Sequence, residues 1–191
     1  MAKNKISQTS KNVAQKPQSI NQVIKILKEP KVLIAPIDYT QRNFWILAGI
    51  IVLCTLIALS PGFQNGYVWD DMFYIVNNED LRQVSFKNFK TLVSDFYLGN
   101  WHPLTMITYY IEYSLVKDTA WVYHFNNTVI HIINSILVFK VVEKLSKNFL
   151  IGAITAVLFA IHPLHVESVI WVAERKDVLY TLFCFCLFGN I

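Results

Sequence analysis

Apolar residues gather along this chain into long runs broken by short polar stretches. Phe44 to Ser60 holds no charged side chain, and about seventeen helical residues rising 1.5 Å each give about 25 Å, close to the hydrocarbon thickness of a bilayer. A first span is predicted there, with Arg42 before it, Trp45 at its rim and Pro61-Gly62 closing it. Trp121 to Val142 is long enough for a second, with His124, Asn126, Asn127, His131 and Asn134 gathered towards its beginning. His131 and Asn134 are read as groups that hydrogen-bond between helices rather than as a substrate route. Phe149 to Ile161 opens a third apolar run that meets His162-Pro163 early for a crossing. The polar string HPLHVESVIWVAERKD is therefore expected to continue at membrane depth, buried in protein or lining a wet cavity, with the third span drawn over about 149–168. From Val178 the run VLYTLFCFCLFGNI starts a fourth span, 178–191, that lacks a closing flank, so a truncated chain is expected.

Between the first two spans, residues 61–120 form a mixed, acid-rich segment in which Leu104 to Val116 reads as a juxtamembrane amphipathic helix carrying Glu112. Lys140, Lys144 and Lys147 around the next turn place it in the cytoplasm by the positive-inside rule. The N-terminus is then cytoplasmic, and loops 61–120 and 162–177 face the opposite side together. The fold expected is all-α: polytopic membrane helices with short amphipathic helices in the first outer loop. Two regions follow, a basic leader over 1–43 and a transmembrane domain over 44–191. Residues 1–20 are too polar to fold alone, and residues 20–29 are read as a short helix on the membrane surface or a solvated loop.

Composition agrees: 54% apolar, 14% aromatic and 16% charged residues is far from the balance of a soluble domain. The net charge of +4 concentrates in the leader, which suits anionic lipid headgroups better than nucleic acid, and no nucleic-acid partner is expected. Cys54, Cys184 and Cys186 lie inside apolar runs, where they read as small packing residues rather than disulfide partners or zinc ligands. No cleavage chemistry precedes the first run, so its helix is expected to remain as an anchor. Asn126-Asn127-Thr128 has the form of a glycosylation sequon but opens a span.

Candidate chemistry falls in the two outer loops. Asp70-Asp71 follows the first span within the string YVWDD; carboxylates at headgroup level can bind a divalent cation, or accept a proton from a hydroxyl attacking an activated sugar carbon. The competing reading is a helix cap ahead of MFYIV. The second constellation is His162, His165, Glu167, Glu174, Arg175, Lys176 and Asp177. Ionisable groups near membrane depth are functional candidates by their cost. Pro163 breaks the helix that a His-x-x-His metal site would need, so no metal ligands are assigned. Arg175 and Lys176 could grip a phosphate or simply flank the fourth span. A non-enzymatic membrane subunit, or a transporter piece routing a proton or ion through these groups, is the alternative class.

The strings YVWDDMFYIVNNEDL, NWHPLTMITYYIEYSLV, WVYHFNNTVIHIINSILVF and HPLHVESVIWVAERKDVLYTLF occur in that order. Over about residues 44–191 this resembles the N-terminal membrane domain of bacterial tetratricopeptide-repeat glycosyltransferases, which are similar to the eukaryotic transmembrane, tetratricopeptide-containing protein O-mannosyltransferases. The resemblance implies the N-terminal portion of a GT-C fold and an inverting transferase. Sugar, mannose among the candidates, would pass from a polyprenyl- or dolichyl-phosphate carrier to a protein or other acceptor on the extracytoplasmic side. It implies Asp70 and Asp71 as catalytic acids, and His102, His165, Glu167, Arg175, Lys176 and Asp177 as substrate or lipid-phosphate contacts. No cofactor is firmly implied beyond the lipid-linked donor, although a divalent cation is possible. The implied location is the bacterial inner membrane, or the endoplasmic reticulum membrane in a eukaryote.

Overall fold

The computed structural model describes residues 41–83 and 85–189; the leader and its surface helix at 20–29 lie outside the described residues. The described chain is all-helical. Its helices are α1 Gln41–Leu59, α2 Glu79–Arg82, α3 Phe86–Ser94, α4 Pro103–Val116, α5 Ala120–Ser146, α6 Phe149–Ile161, α7 His165–Ile170 and α8 Arg175–Gly189. Tighter or wider turns occupy Ser60–Gln64, Met72–Val76 and Val172–Glu174. Among the described residues the only β pairing is an isolated bridge between Tyr97 and Asn100.

The stretch Asn43–Gln64 is the one described helix long and apolar enough to cross a membrane, while Phe149–Ile161 is apolar but shorter. The central helix α5 differs because its polar residues recur at helical spacing. His124, Asn127, His131, Asn134 and Ser135 are all buried, so their stripe faces the protein. Around α5 pack α1, α6 and α8, joined by a cluster of Leu47, Ile51, Val138, Phe139, Ala156 and Ala160. Gly152 lets α6 approach α5, since a Cβ there would lie 3.1 Å from the Phe139 carbonyl oxygen. The α5–α6 turn is tight: Lys147 takes a left-handed φ of 53°. Asn148 then caps α6 by accepting from Leu150 N and Ile151 N at 2.9 and 3.2 Å.

At the other end of α5 a second core forms from the loop helices, built on Tyr74, Ile75, Leu81, Leu92, Met106, Tyr109, Tyr113, Tyr123, Val172 and Ala173. Its small helices are capped by their own polar residues. Asn78 accepts from Leu81 N at 3.2 Å and Ser85 from Asn88 N at 3.1 Å. Gly62, just past α1, packs so closely on Ile170 that a Cβ would sit 2.5 Å from its side chain. Any larger residue there would need the Ile170 side chain to give way or the start of the 61–120 loop to move off α7.

The third apolar run ends at Ile161, as the proline predicts, and the chain restarts as the separate helix α7 before breaking again at Trp171. The double break makes the hairpin over residues 162–177. Its position fixes the candidate site.

Candidate functional site

A broken helix leaves backbone groups without partners, and buried ones are costly unless something receives them. Between Ile170 and Ala173 the receivers are side chains from elsewhere. His124 Nδ1 lies 2.6 Å from the Ile170 carbonyl oxygen, Asn127 Nδ2 donates to Trp171 O at 3.3 Å, and the Tyr109 hydroxyl donates to Val172 O at 2.6 Å. Ala173 N donates to Asp71 Oδ1 at 2.7 Å, while Val68 N donates to Asp71 Oδ2 at 3.0 Å. The polar residues at the head of α5 thus hold the hairpin open. His131 and Asn134 further along bridge helices, to Ala160 O at 3.2 Å and Val178 O at 2.9 Å.

The adjacent aspartates are consequently unlike. Asp71 is fully buried with both oxygens engaged by backbone N–H groups, Val68 from its own loop and Ala173 from the hairpin over residues 162–177. Burial pushes its pKa up, and the two N–H donors oppose the shift. It makes no side-chain cap to the turn that follows, so the cap reading fails for it. Asp70 is half-buried, and its carboxylate has no hydrogen bond or ion pair among the described residues. Trp69 before it adopts φ 45°, stays 78% exposed and sets its ring edge on Trp171 at 5.5 Å. That uncommon backbone turns one carboxylate inward and leaves its neighbour free.

Arg175 is also wholly buried. Its Nη1 pairs with Glu112 at 2.7 Å and meets Thr108 Oγ1 at 3.2 Å; Nε donates to Asn127 Oδ1 at 2.6 Å and Nη2 to Tyr123 O at 3.1 Å. The guanidinium lies over the Tyr109 ring, 4.7 Å from its centroid. These partners occupy the fork that a phosphate would need, so Arg175 fixes the start of α8 from within. Burial pushes the Glu112 carboxyl upward, and Arg175 opposes it. Asn126, the sequon asparagine, donates to the same Glu112 oxygen at 2.6 Å.

With Arg175 facing inward, its neighbours face out. Lys176 Nζ pairs with Glu174 at 2.7 Å. The Tyr74 phenol, raised mainly by burial, sits within electrostatic reach of Lys176, Asp70 and Glu174 together. The His102 ring packs edge-on to Tyr74 at 5.1 Å, with both nitrogens buried and unpartnered. Burial and the Lys176 ammonium push its pKa down, so it stands neutral with one N–H donor and one lone pair available. Beside this cluster opens a largely apolar cavity of about 240 Å³, lined among others by His102, Leu104, Lys176, Leu179, Tyr180 and Phe183. The arrangement offers one free carboxylate, one ammonium, one neutral imidazole and an apolar wall.

The chain is 29% identical over 161 residues to protein O-mannosyl-transferase TMTC3 of Mus musculus, a match covering 79% of the chain and 17% of that protein. It is 29% identical over 147 residues to protein O-mannosyl-transferase TMTC1 of Homo sapiens, covering 72% and 16%. With Tmtc2 of Drosophila melanogaster the identity is 31% over 150 residues, covering 74% and 15%. The resemblance is to the protein O-mannosyl-transferases. The chain spans about a sixth of the length of these O-mannosyl-transferase relatives. No family model matches the chain, and no solved structure does.

Of the residues singled out from sequence, Asp71 and Arg175 are buried in the loop core, His102 and Lys176 line the apolar cavity, and Asp70 shares the electrostatic surroundings of Tyr74 with Lys176. His165 and Asp177 line a polar cavity on the next face of α8. Glu167 is exposed on α7 and borders a third cavity of about 480 Å³ with Val68 and Trp171. Among the described residues no group of three His, Cys, Asp or Glu side chains converges as a metal site. Sequence reasoning did not single out Tyr74, Glu112 or Asn127. Glu112 gave a signal, a lone carboxylate inside an apolar run whose cost requires a partner; nothing in the sequence told that its partner was Arg175.

Proposed function

We propose that this chain contributes a catalytic site to a GT-C-type membrane glycosyltransferase that moves a sugar, mannose by analogy with the relatives' name, from a polyprenyl- or dolichyl-phosphate carrier to a protein hydroxyl. In this reading residues 44–191 form a polytopic domain with spans at α1, α5, α6 with α7, and α8. The leader lies in the cytoplasm and both outer loops lie on the extracytoplasmic side of a bacterial inner membrane or an endoplasmic reticulum membrane.

The observation that carries the reading is Asp70, a carboxylate without a protein partner, held beside the buried clamp of its neighbour Asp71 and within electrostatic reach of Tyr74, as Lys176 is. The prenyl tail lies along Leu104, Leu179 and Phe183. The carrier phosphate meets Lys176 and the His102 ring. The acceptor hydroxyl gives its proton to Asp70 as its oxygen attacks the anomeric carbon. The bond from that carbon to the phosphate oxygen breaks, and its electron pair stays on the departing polyprenyl phosphate, where Lys176 meets the added charge. Attack from the face opposite the phosphate inverts the anomeric centre.

The test is sugar transfer in membranes holding the protein expressed from its complete reading frame. Asp70→Asn is expected to lower the turnover rate by about 10²–10⁴-fold, the usual contribution of a general base, with insertion intact by cysteine accessibility of the loop. Transfer at the unsubstituted rate by Asp70→Asn would remove Asp70 from the chemistry.

A further inference from the structure

On the face of α8 next to the apolar cavity lies a second, more polar one of about 210 Å³, which the proposed proton transfer does not use. Asn134 is 1% exposed at its wall. Its amide nitrogen is tied to Val178 O at 2.9 Å, and its carboxamide oxygen is buried without a partner. Across from it, the Asp177 carboxylate accepts from the Ser168 hydroxyl at 3.3 Å and has further lone pairs to offer. The imidazoles of His165 and His131, the Thr181 hydroxyl and the rings of Phe159 and Tyr180 also face it.

The site is therefore rich in acceptors and asks for donors. A phosphate, which carries only acceptor oxygens at neutral pH, would meet Asp177 as a like charge. Hydroxyl groups fit because each gives and receives a hydrogen bond, so several on one ring can serve Asn134, Asp177 and an imidazole together. The aromatic walls suit the C–H face of such a ring, and the volume is below the ~300–1,000 Å³ of pockets for drug-sized ligands. Tyr180 borders both cavities. Lys176 and Asp177 are consecutive, so a ligand whose phosphate sits at the first can present its ring to the second.

We propose that this cavity is the subsite that recognises the hydroxyl groups of a neutral hexose, namely the sugar carried by the lipid-linked donor. The inference rests on the transferase reading and adds the place where sugar identity is read.

Asp177→Ala and Ser168→Ala separate the two readings, because both side chains lie towards the surface and can be removed without emptying the core. Polyprenyl-phosphomannose serves as substrate and sugar-free polyprenyl phosphate as competing inhibitor. The variants are expected to raise KM for the donor about tenfold, as a lost charge-assisted hydrogen bond does, while the inhibition constant of the sugar-free lipid stays put. An unchanged KM overturns the subsite, and so does an equal weakening of the sugar-free lipid, which would make the cavity a lipid or phosphate contact. Should the unsubstituted protein transfer no sugar, the transferase reading fails by itself. Saturation-transfer NMR with free mannose then decides the subsite: a signal that Asp177→Ala removes upholds it, and no signal overturns it.

Discussion

The two cores at opposite ends of α5 solve the same packing problem with different chemistry. The cluster shared by α1, α5 and α6 is made of Leu, Ile, Val, Phe and Ala, with Gly152 setting the helix approach. The cluster under the 61–120 loop and the 162–177 hairpin buries Tyr74, Tyr109, Tyr113 and Tyr123 and sits against the Arg175–Glu112 pair. Aliphatic packing needs only shape and tolerates lipid on the far side. A layer of broken helices must also receive stray backbone carbonyls and N–H groups, and tyrosine supplies both apolar area and a hydroxyl to do so. The first core holds helices together; the second holds a backbone in a conformation it would otherwise leave.

Substitutions can break that contrast. The largest structural effect is expected in the tyrosine core from Glu112→Ala, which strands a fully buried guanidinium at a cost of about 3–5 kcal/mol. Thermal denaturation in detergent should record the loss, and the paired change Glu112→Leu with Arg175→Met should recover most of it. Asp71→Asn removes a charged acceptor from Val68 and Ala173 and should cost about 1.5–3 kcal/mol. Faster proteolysis of residues 65–76, with the helical bundle unchanged, is the signature to look for.

In the aliphatic core, Gly152→Leu forces α6 off α5 and should cost about 1–3 kcal/mol by overpacking, seen as a lowered Tm without new cleavage of the outer loops. If it opened those loops as Asp71→Asn does, the two cores would be one cooperative unit. The smallest effect concerns His102. Its folded pKa lies below the ordinary 6.5, so the unfolded chain takes up the proton first as pH falls. Stability is complete above about 6.5 and declines below it towards the folded value. His102→Phe should flatten that decline in a pH series of melting curves.

Much of this could be read from the residues alone. The uncharged run at Phe44 gives α1, the lysines about Lys144 mark the α5–α6 turn, and His162-Pro163 ends α6 where it should. These are local signals, set by neighbours in sequence. Asp70 and Asp71 could be found but not told apart, because their difference lies in Ala173 N, far along the chain. Arg175 read as a phosphate ligand or an interfacial flank for the same reason: a cation beside an apolar run gives no sign of facing inward until Glu112 and Asn127 are seen across from it. The polar head of α5 was visible as a pattern, yet its task depended on where the second hairpin would break.

The bond between Asp71 and Ala173 joins residues 102 positions apart. At roughly 5–20 residues per second of synthesis, the loop that holds Asp71 waits about 5–20 s for the N–H that completes it. Until then Asp71 has only Val68 N as a backbone donor, next to the exposed Trp69 and Phe73. The loop thereby works as a receipt for the arrival of the segment that leads into α8: a chain in which Ala173 is misplaced carries an unclosed loop near its beginning.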